Sequence, residues 1–295
     1  GTRVAAADDH GRIAVWDVAA NRQIWQLAAS QGIWSTRFSP DGRQIATASE
    51  DGSVIVRDAE DGRALRTAAL GAPVVTTTYG DDGTLYASTL DARVVRIAGD
   101  DNRSLPIHHS AAVWGLDVRA GRIATGSDDH VVDVTDLASG RLLFRREDER
   151  EVNAVALSPD ARIVAFGGHA GRVQLAEVDS GRMLASLEGR ADSVDAIEFS
   201  PDASYLITAT VDGAITVWDR TGKALIVLDG PPTPFARISP LGDAVASGGA
   251  DGRVRVWSIA PDLRDPSAVD ALLACWVPYS LVDQRIVLRR ASCVR

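Results

Sequence analysis

The chain returns to one short pattern again and again. The stretch "FSPDGRQIATASEDGSVIVRD" (residues 38–58) nearly recurs as "FSPDASYLITATVDGAITVWD" (199–219). Aligned on Asp51, the equivalent positions are His10, Asp51, Asp91, Asp129, Ala170, Asp212 and Asp251, spaced 41, 40, 38, 41, 42 and 39 residues apart. A period near forty restricts the chain to an array of like units, each burying its faces against its neighbours.

Inside a unit the alternation is that of strands. Ile45, Thr47 and Ser49 share one face, Val54 and Val56 share one face of the next run, and "EDG" separates them. Period-2 runs of about six residues broken by Asp-Gly read as a β-hairpin, because Asp-Gly supplies the positive φ of a tight turn. "SPDG" (39–42) is a second turn, and "DAEDGR" (58–63) and "DLASGR" (136–141) form a third. Each unit is thus four short strands, exemplified by a "WSTRF", b "QIATAS", c "SVIVRD" and d "ALRTAA". Four-stranded units that must cover both faces pack radially, so the expected fold is an all-β, seven-bladed β-propeller.

The motifs resemble the WD40 repeat family over roughly residues 1–258. "AVWD" ends at Asp17 and "TVWD" at Asp219. The resemblance implies structural strand-c tryptophans at Trp16, Trp218 and Trp257, and structural turn aspartates at Asp51, Asp91, Asp129, Asp212 and Asp251. The chain also departs from the family. The Gly-His pair that opens many repeats is absent, with "EGR" (188–190) the nearest, so the full Asp–His–Ser–Trp network is not expected in any blade. The third unit ends "VVRIAG", without Trp-Asp, and His10 and Ala170 replace the turn aspartate, which marks those two turns as the softest.

Two domains are expected, 1–258 as the WD40-type propeller and 259–295 as a helix-plus-strand extension. Gly1-Thr2-Arg3-Val4 aligns with Gly42-Arg43-Gln44-Ile45, so the first blade lacks its innermost strand and a longer parent protein is expected. "DPSAVDALLACW" reads as a short helix with Asp265 as N-cap and Pro266 at its first position. "VPYSLVDQRIVLR" reads as one or two strands. The count is seven b–c hairpins, six a strands and six d strands. The tail is expected to give the last d strand; the competing view has upstream residues complete the first blade while the tail packs outside.

Net charge of −9 argues against nucleic acid as the main partner and suits a basic protein surface, or merely keeps the chain soluble. There is no apolar run of about 18 residues, so no membrane span is expected, and a cytoplasmic setting follows. All cationic residues but Lys223 are arginine, which with the heavy Ala and Gly usage suggests a bacterial, GC-rich gene. Cys275 and Cys293 both lie in the tail, where they either bridge or stay as thiols.

Little in the sequence promises chemistry. His10, His108, His109, His130 and His169 fall at hairpin turns or in an inter-blade connection, away from any nucleophile elbow. "DDH" at 8–10 and 128–130 resembles a carboxylate–histidine site, yet both copies occupy b–c turns where acidic residues belong anyway. Asn153 and Asp195 hold equivalent strand-a positions, but two ligands fall short of a calcium site. No enzyme, metal or cofactor is expected.

The resemblance implies instead that partners dock on the top face, where strand a begins and just before the turn aspartate. The first set is Trp34, Val75, Trp114, Asn153, Asp195 and Pro234; the second is Asp9, Glu50, Leu90, Asp128, His169, Val211 and Ala250. Trp34 and Trp114, amid Asp9, Glu50, Asp128 and Asp195, either bind a peptide bearing Arg or Lys or pack between blades. The expected function is a non-catalytic protein- or peptide-binding scaffold or sensor, monomeric, and the C-terminal module of a larger bacterial signalling protein. The alternatives are a metal-dependent hydrolase using the central channel and a structural spacer.

Overall fold

Short β-branched and alanine-rich runs, each ended by a turn residue at positive φ, give strands of four to seven residues throughout the repeat region. A computed structural model describes residues 2–29, 31–98, 101–188, 193–232 and 235–259, and the backbone of 279–282 and 285–288. The first blade is β1 (Arg3–Ala7), β2 (Arg12–Asp17) and β3 (Arg22–Ala28). The second is β4 (Ile33–Phe38), β5 (Gln44–Ser49), β6 (Ser53–Asp58) and β7 (Ala64–Ala69). The third is β8 (Val74–Tyr79), β9 (Leu85–Thr89), β10 (Val94–Ala98) and β11 (Asp101–Ser104). The fourth is β12 (Val113–Arg119), β13 (Arg122–Ser127), β14 (Val131–Asp136) and β15 (Leu142–Glu147).

The fifth blade comprises β16 (Ala154–Leu157), β17 (Ile163–Gly167), β18 (Arg172–Glu177) and β19 (Met183–Glu188). The sixth comprises β20 (Val194–Phe199), β21 (Tyr205–Thr210), β22 (Ala214–Asp219) and β23 (Ala224–Asp229). The seventh contributes β24 (Phe235–Ile238), β25 (Ala244–Gly248) and β26 (Val254–Ser258). Every blade is an antiparallel meander whose strands pair in sequence order, so the molecule is a seven-bladed all-β propeller. Among the described residues the first blade has no strand a and the seventh no strand d.

Residues 259–295 form a separate unit, in which β27 (Tyr279–Val282) and β28 (Arg285–Leu288) pair as a hairpin. The expected helix, both cysteines and Pro234 lie outside the described residues.

The core lies between blades. Ala46, Val54 and Val56 of the second blade cluster with Val74, Leu85 and Val95 of the third, and Phe144 of the fourth meets Phe166 of the fifth at 6.1 Å. Removal of such apolar area from water is the main stabilising term, and each blade supplies only half of each interface.

The turns carry the backbone strain. Gly52 at φ +83° follows Asp51, whose carboxylate accepts the Ser53 N–H at 2.8 Å. At the equivalent position the third and fourth blades hold Ala92 (φ +68°) and His130 (φ +67°), a left-handed conformation costly for residues with a Cβ. The first blade compensates for His10. Asp8, two residues earlier, accepts the His10 and Arg12 N–H groups at 3.1 and 2.8 Å, so this turn keeps a carboxylate cap. The fifth turn, with Ala170, closes by the Gly171 N–H to Gly168 carbonyl bond at 3.0 Å.

Candidate partner-binding face

One end of the propeller carries the d-to-a connections and the b–c turns, and a single repeated backbone bond builds its surface. In blades two to seven the residue before the turn position donates its N–H to a carbonyl two residues before the strand-a site. The pairs are Glu50–Gly32, Leu90–Pro73, Asp128–Ala112, His169–Glu151, Val211–Ser193 and Ala250–Pro232, at 2.9 to 3.3 Å. The two residue sets expected from sequence are therefore tied together blade by blade.

The strand-a residues are aimed by β-bulges. Pairing with strand b slips at Ile33/Ser35, Val74/Thr76, Val113/Gly115 and Val194/Ala196, which makes Trp34, Val75, Trp114 and Asp195 the extra residues. A bulge bends the strand and redirects the inserted side chain, a device common beside functional sites. Trp34 and Trp114 use it to reach each other. Their rings stack at 6.3 Å between centroids with 24° between planes, spanning from the second blade to the fourth. Val75, at the same position in the intervening blade, is buried. Trp34 is half-buried and Trp114 is 39 % exposed, so the pair is neither core nor free.

Acidic groups gather beside the stack. A Cβ on Gly32, two residues before Trp34, would stand 2.8 Å from the Asp9 carbonyl and 3.4 Å from Glu50 Oε2. Glycine there lets the first and second blades close up, with the Asp9 backbone and the Glu50 carboxylate beside Gly32, two residues before Trp34. The Asp128 N–H bonds the Ala112 carbonyl, two residues before Trp114. Asn153, Asp195 and His169 share this level on the fifth and sixth blades, but among the described residues no hydrogen bond links them to either indole. Asp195 accepts the Ser193 hydroxyl at 2.8 Å. Glu151, absent from the sequence-based set, lies 4.0 Å from His130. Its own backbone N–H, then His130 and His169, hold its carboxyl below the usual range.

The family network survives in pieces. In the fourth blade His109 Nδ1 lies 3.0 Å from Asp129 Oδ2 and Nε2 lies 2.8 Å from Thr125 Oγ1, three members of four, with Thr135 where tryptophan would stand. Burial raises the Asp129 pKa, but the Ser110 and Val131 N–H groups and His109 outweigh it, so the carboxyl ends below its usual range. The sixth and seventh blades hold the other half. Trp218 Nε1 donates to Thr208 Oγ1 at 2.9 Å and Trp257 Nε1 to Ser247 Oγ at 3.0 Å. Trp16 faces a strand b with Ala6 at that place, which offers no hydroxyl.

In the fifth blade the roles are exchanged. The buried Asp148 occupies the position of His109 and accepts from Gln174 Nε2 at 3.1 Å and Arg172 Nη2 at 3.3 Å, opposite a turn that has lost its aspartate to Ala170.

A second ring, not foreseen from sequence, lies about three residues further along strand a, roughly 10 Å deeper at strand rise. Arg37, Asp117, Glu198 and Arg237 hold equivalent positions on β4, β12, β20 and β24. Three of them reach the next blade's inner strand. Arg37 Nε donates to the Thr77 carbonyl at 3.3 Å, Asp117 Oδ2 accepts the Leu157 N–H at 2.9 Å, and Glu198 Oε2 accepts the Ile238 N–H at 2.8 Å.

Among the described residues the one group with metal-ligand spacing is Asp8, Asp9 and His10. Both Asp8 oxygens are engaged, Oδ1 by the turn and Oδ2 by Arg12 Nε at 2.6 Å, while Asp9 pairs with His10 at 2.6 Å. These contacts account for the cluster as a capped turn.

Comparison with known proteins agrees with this fold. The WD40 family (WD domain, G-beta repeat) matches residues 21–58, 181–219 and 225–258. Angio-associated migratory cell protein of Homo sapiens is 30 % identical over 179 residues, 59 % of this chain and 40 % of that protein. Small ribosomal subunit protein RACK1y of Oryza sativa subsp. japonica is 33 % identical over 153 residues, 48 % of this chain and 45 % of that one. The chain thus spans less than half the length of these relatives. Among solved structures, the Cps50 (Swd1) β-propeller domain of Myceliophteria thermophila superposes with a TM-score of 0.76 at 17 % identity, covering 88 % of this chain and 94 % of that chain. A chain of the mitotic checkpoint complex gives 0.77 at 20 % identity, covering 88 % and 84 %.

Proposed function

As a WD40-repeat propeller this chain belongs to a family that typically serves as protein-interaction scaffolding, and we propose that it binds a protein or peptide carrying an Arg or Lys through the face around Trp34 and Trp114. The observation that carries this is the stacked, half-exposed indole pair, presented by two β-bulges on the face that also bears Asp9, Glu50 and Asp128. A guanidinium or ammonium is attracted to an indole face and to the carboxylates at once, while its aliphatic stem covers apolar surface. Rigid blades fix these groups in advance, so binding orders little on the propeller side.

Asn153, Asp195 and His169 extend the same face. The proposed role is non-catalytic. Asp117 and Glu198, the carboxylates of the inner ring, already accept backbone N–H groups and share their level with two guanidiniums, a poor setting for a catalytic cation. No helix among the described residues is long and apolar enough to cross a membrane. A cytoplasmic scaffold within a bacterial signalling protein is the setting we assign.

The test compares the wild-type chain with Trp34→Ala/Trp114→Ala against an array of peptides in which a single Arg or Lys is present or replaced by Gln. Affinity that needs both the cationic residue and the indoles supports the reading. Peptides bound equally by both proteins, or no cationic preference at all, would refute it.

A further inference from the structure

The outermost strand of a blade has one open edge, and sheet proteins guard such edges with charged or polar side chains. The first five blades follow this rule. Gln26, Thr67, Arg103, Arg145 and Ser186 hold one equivalent place on β3, β7, β11, β15 and β19, fixed by pairing with Ala14, Ile55, Arg96, Asp133 and Gln174 of strand c. The sixth blade breaks it. Val227, paired with Thr216, takes that place, and β23 (ALIVLD) carries no polar side chain before Asp229 at its end.

The apolar side chains are in water. Leu225 is 54 % and Val227 42 % exposed. Among the described residues β23 pairs only with β22, so its outer edge is a row of backbone groups without a ladder partner, about 20 Å long for six residues. A β-bulge opposite Trp218 bends the strand. The same bulge recurs in the first, second, fourth and fifth blades, so it does not stand in for the missing polar guard.

The ends of the strand say what can cover it. Lys223, the chain's only lysine, precedes β23, and Asp229 closes it. Two copies laid antiparallel about a two-fold axis bring Lys223 of each towards Asp229 of the other, with apolar residues facing apolar residues between them. A parallel copy would set like charges together. Asp229 is also engaged within its own chain, so what it offers the second copy is its charge.

We propose that β23 is a self-association edge, through which two copies of this chain join their sixth blades into one continuous antiparallel sheet. The monomer expected from sequence is then the dilute form of a weak dimer. One strand pair falls short of a standard interface, so the dimer should be populated near about 100 μM and dissociated near about 1 μM. The net charge of −9 opposes association, a repulsion that about 0.15 M salt confines to about 8 Å. β23 is the outermost strand of the sixth blade, whereas Trp34 and Trp114 lie on the innermost strands of the second and fourth, so the proposal does not rest on the partner-binding reading.

Sedimentation equilibrium of the full chain in about 0.15 M salt, from about 1 to about 300 μM, tests it. The expected result is a monomer–dimer equilibrium that Val227→Lys weakens about tenfold or more. Thr67→Lys puts the same charge at the same place on the second blade and keeps wild-type association. Lys223→Asp, which sets carboxylates opposite each other, also weakens the dimer. Should Val227→Lys fail to fold by circular dichroism, Val227→Thr keeps the β-branch and becomes the decisive variant, with loss in the same direction. A chain that stays monomeric throughout overturns the proposal and leaves the edge to a strand of another protein. So does a dimer unchanged by Val227→Lys or Lys223→Asp, or one that Thr67→Lys breaks equally.

Discussion

Truncating Trp34 and Trp114 to alanine, singly and together, tests the feature on which the partner-binding face depends. A stacked pair at 6.3 Å and 24° is expected to contribute about 0.5–1.5 kcal/mol beyond its area. Trp114 is 39 % exposed. Of the roughly 200 Å² a tryptophan can bury, about 120 Å² is therefore out of water, which gives an upper figure of about 3 kcal/mol at about 25 cal/mol per Å². Part of that area lies against the other indole, so the first truncation already forfeits what the second would lose. The double variant should cost about 1 kcal/mol less than the sum of the singles. For a domain of this size about 1 kcal/mol corresponds to a melting shift of about 2–4 °C. Urea unfolding of the four proteins measures the coupling, and far-ultraviolet circular dichroism should show an exciton couplet that either single variant abolishes. Additivity within about 0.3 kcal/mol with no couplet would refute the stack. A loss beyond about 6 kcal/mol in the double variant would place both indoles in the core and remove the argument for a docking face.

Three further outcomes are expected. Ala92→Gly relieves a left-handed alanine at φ +68° that costs about 1 kcal/mol, offset in part by the greater entropy of unfolded glycine; the urea midpoint should rise by the equivalent of about 0.5 kcal/mol with the slope unchanged. His109→Ala removes a buried bridge between Asp129 and Thr125 and should destabilise by about 2–3 kcal/mol, whereas His10→Ala, at an exposed turn, should cost under about 0.5 kcal/mol. In acid the turn carboxylates should fail together. The Arg255 side chain holds Asp251 down at about 2, and the Ser204 N–H followed by the Ser200 hydroxyl hold Asp202 at about 2, against a usual value of 3.8. Folded pKa values below the unfolded one mean that this stability is complete above about pH 4 and drains away as pH falls towards 2. Urea midpoints that stay flat across that window would show the turn bonds to be energetically idle.

How far the sequence reaches is shown by two neighbouring residues of strand a. Trp34 was legible as a top-face residue, because the forty-residue period places it beside Trp114 in the alignment and the b–c turns next to both. What the period could not give was the contact itself. A bulge is one extra residue against a partner strand, and alternation in the strand looks the same with or without it; only the pairing of Ile33 with Ser49 and of Ser35 with Ala48 exposes it. The family network illustrates a second limit. Among the described residues no blade holds all four members, yet His109 takes the histidine place in the fourth blade without the preceding glycine. Asp148 in the place of His109, with Gln174 and Arg172 turned towards it, is a compensation written across two separate segments.

Three residues beyond Trp34, Arg37 was silent. An arginine on a short strand reads as a solvated side chain, and so does each of its counterparts. Asp117 lies 80 residues on, Glu198 a further 81 and Arg237 a further 39, which is two periods, two periods and one. Spacing alone puts them at the same level of a closed array, yet their meaning depends on which blade each faces. Two carboxylates and one arginine are absorbed by the inner strand of the next blade. Arg237 Nη1 instead donates to the Ala236 carbonyl of its own strand. The repeat thus makes the blades nearly interchangeable in sequence, while the residue each blade places at this level decides which backbone group of its neighbour is bonded. Sites in such a propeller should be sought where the repeats differ, as at the bulged tryptophans of blades two and four.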